Sequence, residues 1–137
     1  MKKDNYTFPA IIGKEPNEQE YSVYFPDLNI ATSGTSEADA LNSARELLGT
    51  VIYGLEIDKE KIPQASKLSD IRIDKNEFTT LVDVYMPAVR LSEENKSVNR
   101  TVTLPAWLNA KALEKHFNFS QVLQEALKEK LNSAAYL

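Results

Sequence analysis

The C-terminal segment sets the strictest limit on what this chain can fold into. Residues 98–105 read VNRTVTLP, so apolar and polar side chains alternate and would point to opposite sides of a strand. A lone strand of this kind is not stable in water and needs a partner, and the nearest available partner is the same strand of a second chain. The apolar side holds Val98, Val102 and Leu104 with Arg100 among them, and the polar side holds Asn99, Thr101 and Thr103.

Two short amphipathic helices are predicted to follow this strand. Pro105 suits a helix start, and the first helix should end at His116, because histidine tolerates left-handed backbone better than β-branched residues do. Ser120 is the predicted N-cap of the second helix. A strand and two helices in about 40 residues cannot bury their own core, whereas two copies wound together would. The apolar positions are Trp107, Leu108 and Ala112 in the first helix and Val122, Leu123, Ala126, Leu127 and Leu131 in the second.

The charge of the chain is uneven. Its formal net charge is −4, but residues 1–90 carry 15 acidic and 10 basic side chains, whereas residues 95–137 carry 3 acidic and 6 basic ones. An acidic body with a basic tail can bind a basic protein at one end and a phosphate backbone at the other. Ordinary scatter of surface charge is the alternative interpretation.

The composition gives no support to several kinds of chemistry. The chain has no cysteine, which excludes disulfides and thiolate chemistry. Its N-terminus, MKKDNYTFPAII, lacks the apolar core of a signal peptide, and no segment approaches the roughly 18 apolar residues of a membrane span, so we expect a cytoplasmic protein. With one histidine, His116, and four glycines, we expect no catalytic residue, no metal site and no cofactor.

Residues 1–90 are predicted to form an α+β domain with the order β-β-β-α-β. The first three strands have short connections and should form an antiparallel meander. Pro9 lies inside the first strand, which suits an edge strand or a strand beginning. The predicted strands are Tyr6–Lys14, Tyr21–Phe25, Asn29–Gly34 and Phe78–Met86.

The long helix of this domain should begin after Ser36, an N-cap with Asp39 three residues on. Gly54 is its predicted stop. The polar residues 91–96 are the predicted linker, which leaves residues 97–137 as the second domain. One face of the helix is apolar and should pack on the sheet; it holds Leu41, Ala44, Leu48, Val51, Ile52 and Leu55.

The strand and two helices from Lys96 to Leu131 resemble the ribbon-helix-helix family of DNA-binding repressors. In that family, paired strands enter the major groove and outward side chains touch base edges, while the start of the second helix holds a phosphate. The resemblance implies a homodimer. It implies DNA contacts by Lys96, Asn99, Arg100, Thr101, Thr103, Phe119, Ser120 and Gln121, and a dimer core of Val98, Val102, Leu104, Trp107, Leu108, Val122, Leu123 and Leu127. Arg100 departs from the pattern, because it falls on the side expected to be buried.

The first 70 residues resemble the HicB antitoxin family through FPAIIGK, YSVYFPDLNIATSGTSEADALNSARELL and IPQAS. This resemblance implies a partial ribonuclease H-like fold, binding of a small basic HicA-type toxin that cleaves mRNA, and repression of the shared operon. It implies no enzymatic activity, and a tetramer formed through the N-terminal domain stays open. The expected toxin-facing residues are Tyr24 and the carboxylates near the predicted sheet edge and helix start, which are Glu15, Glu18, Glu20, Asp27, Glu37 and Asp39.

Other functions stay open from the sequence. A stand-alone regulator with a HicB-like body and no toxin partner would have the same pattern. A metal-dependent ribonuclease is a further alternative, for which Asp83 is the one acidic residue inside a predicted strand. The helical tail could also serve dimerisation without any contact to DNA.

Overall fold

A computed structural model of the protein describes residues 2–133. The chain divides into two compact units between Ser97 and Val98. None of the described helices is long and apolar enough to cross a membrane.

The first unit is a four-stranded antiparallel sheet with helices, in the strand order β3-β2-β1-β4. A single turn of 3₁₀ helix at Leu68–Asp70 lies in the long connection before β4. The elements are β1 (Asn5–Gly13), β2 (Tyr21–Phe25), β3 (Ile30–Gly34), α1 (Glu37–Ile57), β4 (Glu77–Tyr85) and α2 (Met86–Glu94).

The predicted meander of β1, β2 and β3 is confirmed, but the expectation that Pro9 marks an edge strand or a strand beginning is wrong. β4 pairs with β1 along its whole length, from Asn5 opposite Tyr85 to Gly13 opposite Glu77. Pro9 is nonetheless tolerated inside this interior strand, because the pairing with β2 involves residues 11–13 of β1 and does not extend to Pro9. Proline therefore removes no hydrogen bond from that ladder.

One face of the sheet packs against α1 and forms the core. Alternate residues of the strands point to that face, and the helix contributes Ala40, Ala44, Leu48 and Ile52, all with no exposed surface. Gly34 ends β3 where the strand meets the start of α1, and a Cβ at this position would collide with the backbone of Ala40. The strands and α2 contribute Phe8, Ala10, Ile12, Val23, Phe25, Val82, Val84 and Met86.

The start of α1 confirms the predicted cap, whereas its end does not follow the prediction. The Ser36 hydroxyl accepts the Asp39 N–H at 3.0 Å, and the Asp39 carboxylate accepts the Thr35 N–H at 2.8 Å. The helix continues past Gly54 to Ile57, and Lys59 then adopts a φ of 56°. Gly54 has open space around it, so it interrupts no packing and does not end the helix.

The predicted linker at residues 91–96 is wrong for its first four residues, which are the last turn of α2. The helix begins directly after β4, with Pro87 in its first turn, where a missing N–H costs little. The predicted order β-β-β-α-β therefore lacks one helix.

The second unit contains α3 (Ala106–Glu114) and α4 (Phe119–Leu131). The predicted helix end at His116 is confirmed, since this residue adopts a φ of 59°. The N-cap of α4 is Asn118, whose side chain accepts the Gln121 N–H at 3.1 Å, and not Ser120. Residues 98–105 are assigned to no strand.

Arg90 of α2 joins three parts of the first unit. Its guanidinium donates to both carboxylate oxygens of Glu56 on α1, at 2.9 and 2.6 Å, and to the Lys3 carbonyl at 2.6 Å. The Glu56 side chain is only 4% exposed. Hydrogen bonding to Arg90, with a smaller Coulombic contribution, holds the pKa of Glu56 below its ordinary value despite burial.

We predict that Arg90→Met lowers the free energy of unfolding by about 3 kcal/mol, because it leaves a buried carboxylate without its cation. The lowered pKa of Glu56 means that the pair contributes fully above the unfolded pKa, near 4.5, and that this contribution is lost as the pH falls through the folded value. Urea unfolding between pH 3 and 7 measures both effects. Arg72→Met, at an exposed position, is the control and should change little; equal losses in both variants would contradict the role of Arg90.

Candidate interaction surfaces

The second unit has no interior of its own. None of the described residues from 98 to 133 is buried, and Ala112 alone among them is half-buried. The eight predicted dimerisation residues range in exposure from 37% at Leu123 to 86% at Val98. Monomeric soluble proteins rarely leave such a continuous apolar surface open.

Five of these eight side chains line a groove of about 690 Å³, namely Val102, Leu104, Leu108, Val122 and Leu123. Arg100, Val102 and Leu104 line it, whereas Asn99, Thr101 and Thr103 do not. The segment therefore separates its two kinds of side chain as the alternating sequence predicts, and Arg100 lies on the apolar side. The other lining residues are Leu108, Lys111, Ala112, Lys115, Phe117, Phe119, Ser120, Val122, Leu123 and Ala126.

The remaining predicted DNA contacts are only partly free. The Gln121 N–H is already taken by the Asn118 cap, so the amides of Phe119 and Ser120 are the ones left at the start of α4. Lys96 lies at the end of the first unit, where its ammonium contacts the Glu93 carboxylate at 2.7 Å.

The predicted toxin-facing residues of the first unit differ in whether their side chains already hydrogen-bond other residues of the unit. The Asp39 carboxylate accepts the Thr35 N–H at the start of α1 at 2.8 Å, and the Tyr24 hydroxyl donates to Asn29 at 2.9 Å. Glu15 and Glu18 lie in the β1–β2 connection, where Glu18 accepts the Glu15 N–H and Glu15 accepts from Asn76. Glu20 and Glu37 are exposed.

Asp27 is a structural anchor. Its carboxylate accepts the Ser66 hydroxyl at 2.6 Å and the Ser66 N–H at 3.0 Å, and so fastens the long connection between α1 and β4 to the β2–β3 corner. No local sequence pattern indicates this pair, although Ser66 ends the segment IPQAS.

Asp83, the acidic residue of the ribonuclease alternative, is paired with Arg45 of α1. The guanidinium contacts its carboxylate at 3.2 Å and its backbone carbonyl at 3.1 Å. Among residues 2–133 no group of three or more histidine, cysteine, aspartate or glutamate side chains could hold a metal ion.

No family model and no curated protein matches the sequence. Two solved structures are similar to nearly the whole chain. One, a toxin-antitoxin complex from Streptococcus pneumoniae, is 25% identical with a TM-score of 0.59, covering 92% of this chain and 99% of that one. The other, the antitoxin HicB of Burkholderia pseudomallei, is 21% identical with a TM-score of 0.52, covering 93% and 98%. The mixed α+β fold, with four strands and four α-helices in the described residues, is therefore similar to that of a HicB antitoxin.

We predict that Asp27→Ala loosens the α1–β4 connection, because the Ser66 N–H and hydroxyl lose their acceptor. Amide exchange at Ser66 should accelerate at least about tenfold, and the free energy of unfolding should fall by about 1–3 kcal/mol. Glu20→Ala is the control, at an exposed acidic position on the same unit. Unchanged exchange at Ser66 in Asp27→Ala would show that this anchor does not hold the connection.

Proposed function

We propose that this protein is a HicB-type antitoxin that neutralises a HicA-type toxin with its first unit and represses its own operon with its second. One observation about the second unit carries the proposal. None of its described residues is buried, an apolar groove runs along one side, and Asn99, Thr101 and Thr103 do not line that groove. The similarity to a chain of a toxin-antitoxin complex supports it.

A second copy of the chain is the proposed occupant of the groove. Pairing residues 98–104 of two chains would satisfy backbone groups that make no backbone hydrogen bond within the described residues. It would also bury the apolar side chains of α3 and α4, each worth about 1.5–3 kcal/mol when fully removed from water. The result is a ribbon-helix-helix dimer.

The polar side of such a ribbon would face DNA. Asparagine can pair with adenine through two hydrogen bonds, and threonine can donate, accept or contact a thymine methyl group. Arg100 lines the groove, so its proposed phosphate contact requires its guanidinium to extend from the open end of the ribbon. These contacts would place the dimer on an operator and repress transcription.

The first unit is the proposed toxin-binding part. Its acidic balance favours a basic partner, and covering the toxin's active or RNA-binding surface is sufficient to silence it while antitoxin is in excess. Neutralisation of this kind requires no catalytic residue.

We predict that Thr101→Ala weakens binding to DNA from upstream of the gene by at least about tenfold, because each of the two chains in the dimer loses one base contact. The dimer mass and toxin binding should not change, since Thr101 does not line the groove. Gel-shift titration at two salt concentrations, with scrambled DNA for comparison, measures this effect. Thr50→Ala in α1 is the matched control, and equal loss in both variants would contradict a base contact at Thr101.

We predict that Leu123→Asp converts the dimer to a monomer of 15.4 kDa, because it places a charge in the groove that the second copy would fill. Light scattering gives the mass directly. Gln124→Asp adds the same charge at the next position on α4, outside the groove lining, and should remain dimeric. A dimer mass that persists in Leu123→Asp would show that the chains associate elsewhere.

A further inference from the structure

The hydrogen bonds between β4 and β1 determine which backbone groups of β4 point outward, away from the sheet. At one end of the β1–β4 pair, Lys14 donates its N–H to the Asn76 carbonyl, and at the other end Met86 donates to Asp4. The register between these ends is constant. Because hydrogen-bonded pairs alternate in an antiparallel ladder, even-numbered residues of β4 bond β1, and Thr79, Leu81, Asp83 and Tyr85 direct their backbone groups outward.

Part of this edge is already covered. Arg45 donates to the outward carbonyl of Asp83 at 3.1 Å. Thr79 and Leu81 make no such contact to the described residues, apart from a long 3.4 Å approach of the Thr80 hydroxyl to the Leu81 carbonyl. The first half of β4 therefore has free donors and acceptors, which an added strand can use.

A cleft opens beside this free edge, between β4 and the first turns of α1. It holds about 210 Å³, and its walls are the apolar side chains Ile12, Ala38, Leu41 and Phe78 together with Thr80. Glu37 completes the lining; it is an exposed residue, and its carboxylate makes no hydrogen bond or ion pair with any described residue.

The cleft lies on the helix side of the sheet, because Phe78 pairs with Ile12 of the core face. Alternate side chains of a strand added to β4 would point to that side and enter the cleft. A lysine or arginine fits its chemistry best, since the stem can pack on apolar walls while the charged end reaches Glu37.

The surrounding charge distinguishes between two possible occupants. Glu15, Asp74 and Glu77 lie at the same end of the sheet as Glu37, since Asn76 bonds Glu15 and Glu77 bonds the Asp74 N–H. A second copy of this chain would bring the same carboxylates to the contact, where like charges oppose association. A basic partner would meet opposite charge.

We propose that the free edge of β4 from Thr79 to Leu81 binds an extended basic segment of the toxin as an additional strand, with one lysine or arginine of that segment in the Glu37 cleft. This proposal rests on the proposed toxin-binding function and names the surface that performs it. Backbone hydrogen bonds to β4 supply affinity, and the cleft selects the side chain.

Two variants test the edge and the cleft separately, with the proposed HicA-type toxin as the probe. Thr79→Pro removes one outward N–H without touching the ladder to β1, and Glu37→Lys reverses the charge of the cleft. Each should weaken binding in calorimetry at least about tenfold. The matched controls are Ser33→Pro, which removes an outward N–H from β3 at the opposite edge, and Glu46→Lys, elsewhere on the exposed side of α1. Both controls should stay within about twofold, an energy change smaller than 0.5 kcal/mol.

Amide exchange of the wild-type complex gives a reading independent of any folding defect. The Thr79 and Leu81 amides should exchange at least about tenfold more slowly in the complex, while Ala31 and Ser33 on β3 should not change. Complex formation without this protection, or with full affinity in Glu37→Lys, overturns the edge proposal and leaves the toxin-binding function intact. Absence of any complex with the wild-type chain overturns both.

Discussion

The second unit depends on burial that a single chain cannot supply. Its two helices, of 9 and 13 residues, are too short to be stable in isolation, where helices under about 12–15 residues are marginal. Their apolar side chains find no interior among the described residues, and residues 98–104 find no ladder. Under the proposed dimer, the same association that supplies the core also fixes the direction of Asn99, Thr101 and Thr103. Dimerisation, folding of this unit and formation of its DNA-binding face would then be one event.

The first unit buries its apolar side chains within a single chain. Its sheet buries one face against α1, and Arg90 fastens α2 to α1 through a nearly buried ion pair. Both outer strands of the sheet leave an edge: β3 has only five residues, whereas β4 has nine, and Arg45 covers only the region of Asp83. Short polar strands and capping cations are ways in which proteins discourage unwanted strand pairing. The uncovered half of β4 is the place where such protection is missing.

Local chemistry explains what could be predicted from the sequence. The cap at Ser36, the left-handed residue at His116, the three-strand meander and the two faces of residues 98–104 all follow from short-range preferences. The errors arose where competing local signals or tertiary contacts decide. Only the last turn of α2 falls in the predicted linker, because LSEE is polar, although Val89 of the same helix packs against the core and Arg90 donates to Glu56. The interior position of β1 depends on β4, which lies more than 60 residues further along the chain.

The candidate surfaces, too, are predicted only in part from local sequence. The acidic net charge of residues 1–90 favours a basic partner for the first unit. It does not distinguish carboxylates that stabilise the fold from carboxylates that have no partner. That separation depends on pairs distant in sequence: Asp27 with Ser66, 39 positions apart, and Asp83 with Arg45, 38 positions apart. Once these contacts and the hydrogen bond from the Thr35 N–H to the Asp39 carboxylate are known, Glu37 is left as a carboxylate with apolar walls beside it and an open strand edge next to it. Charge composition therefore indicates the kind of partner, whereas its location on the surface follows only from the tertiary contacts.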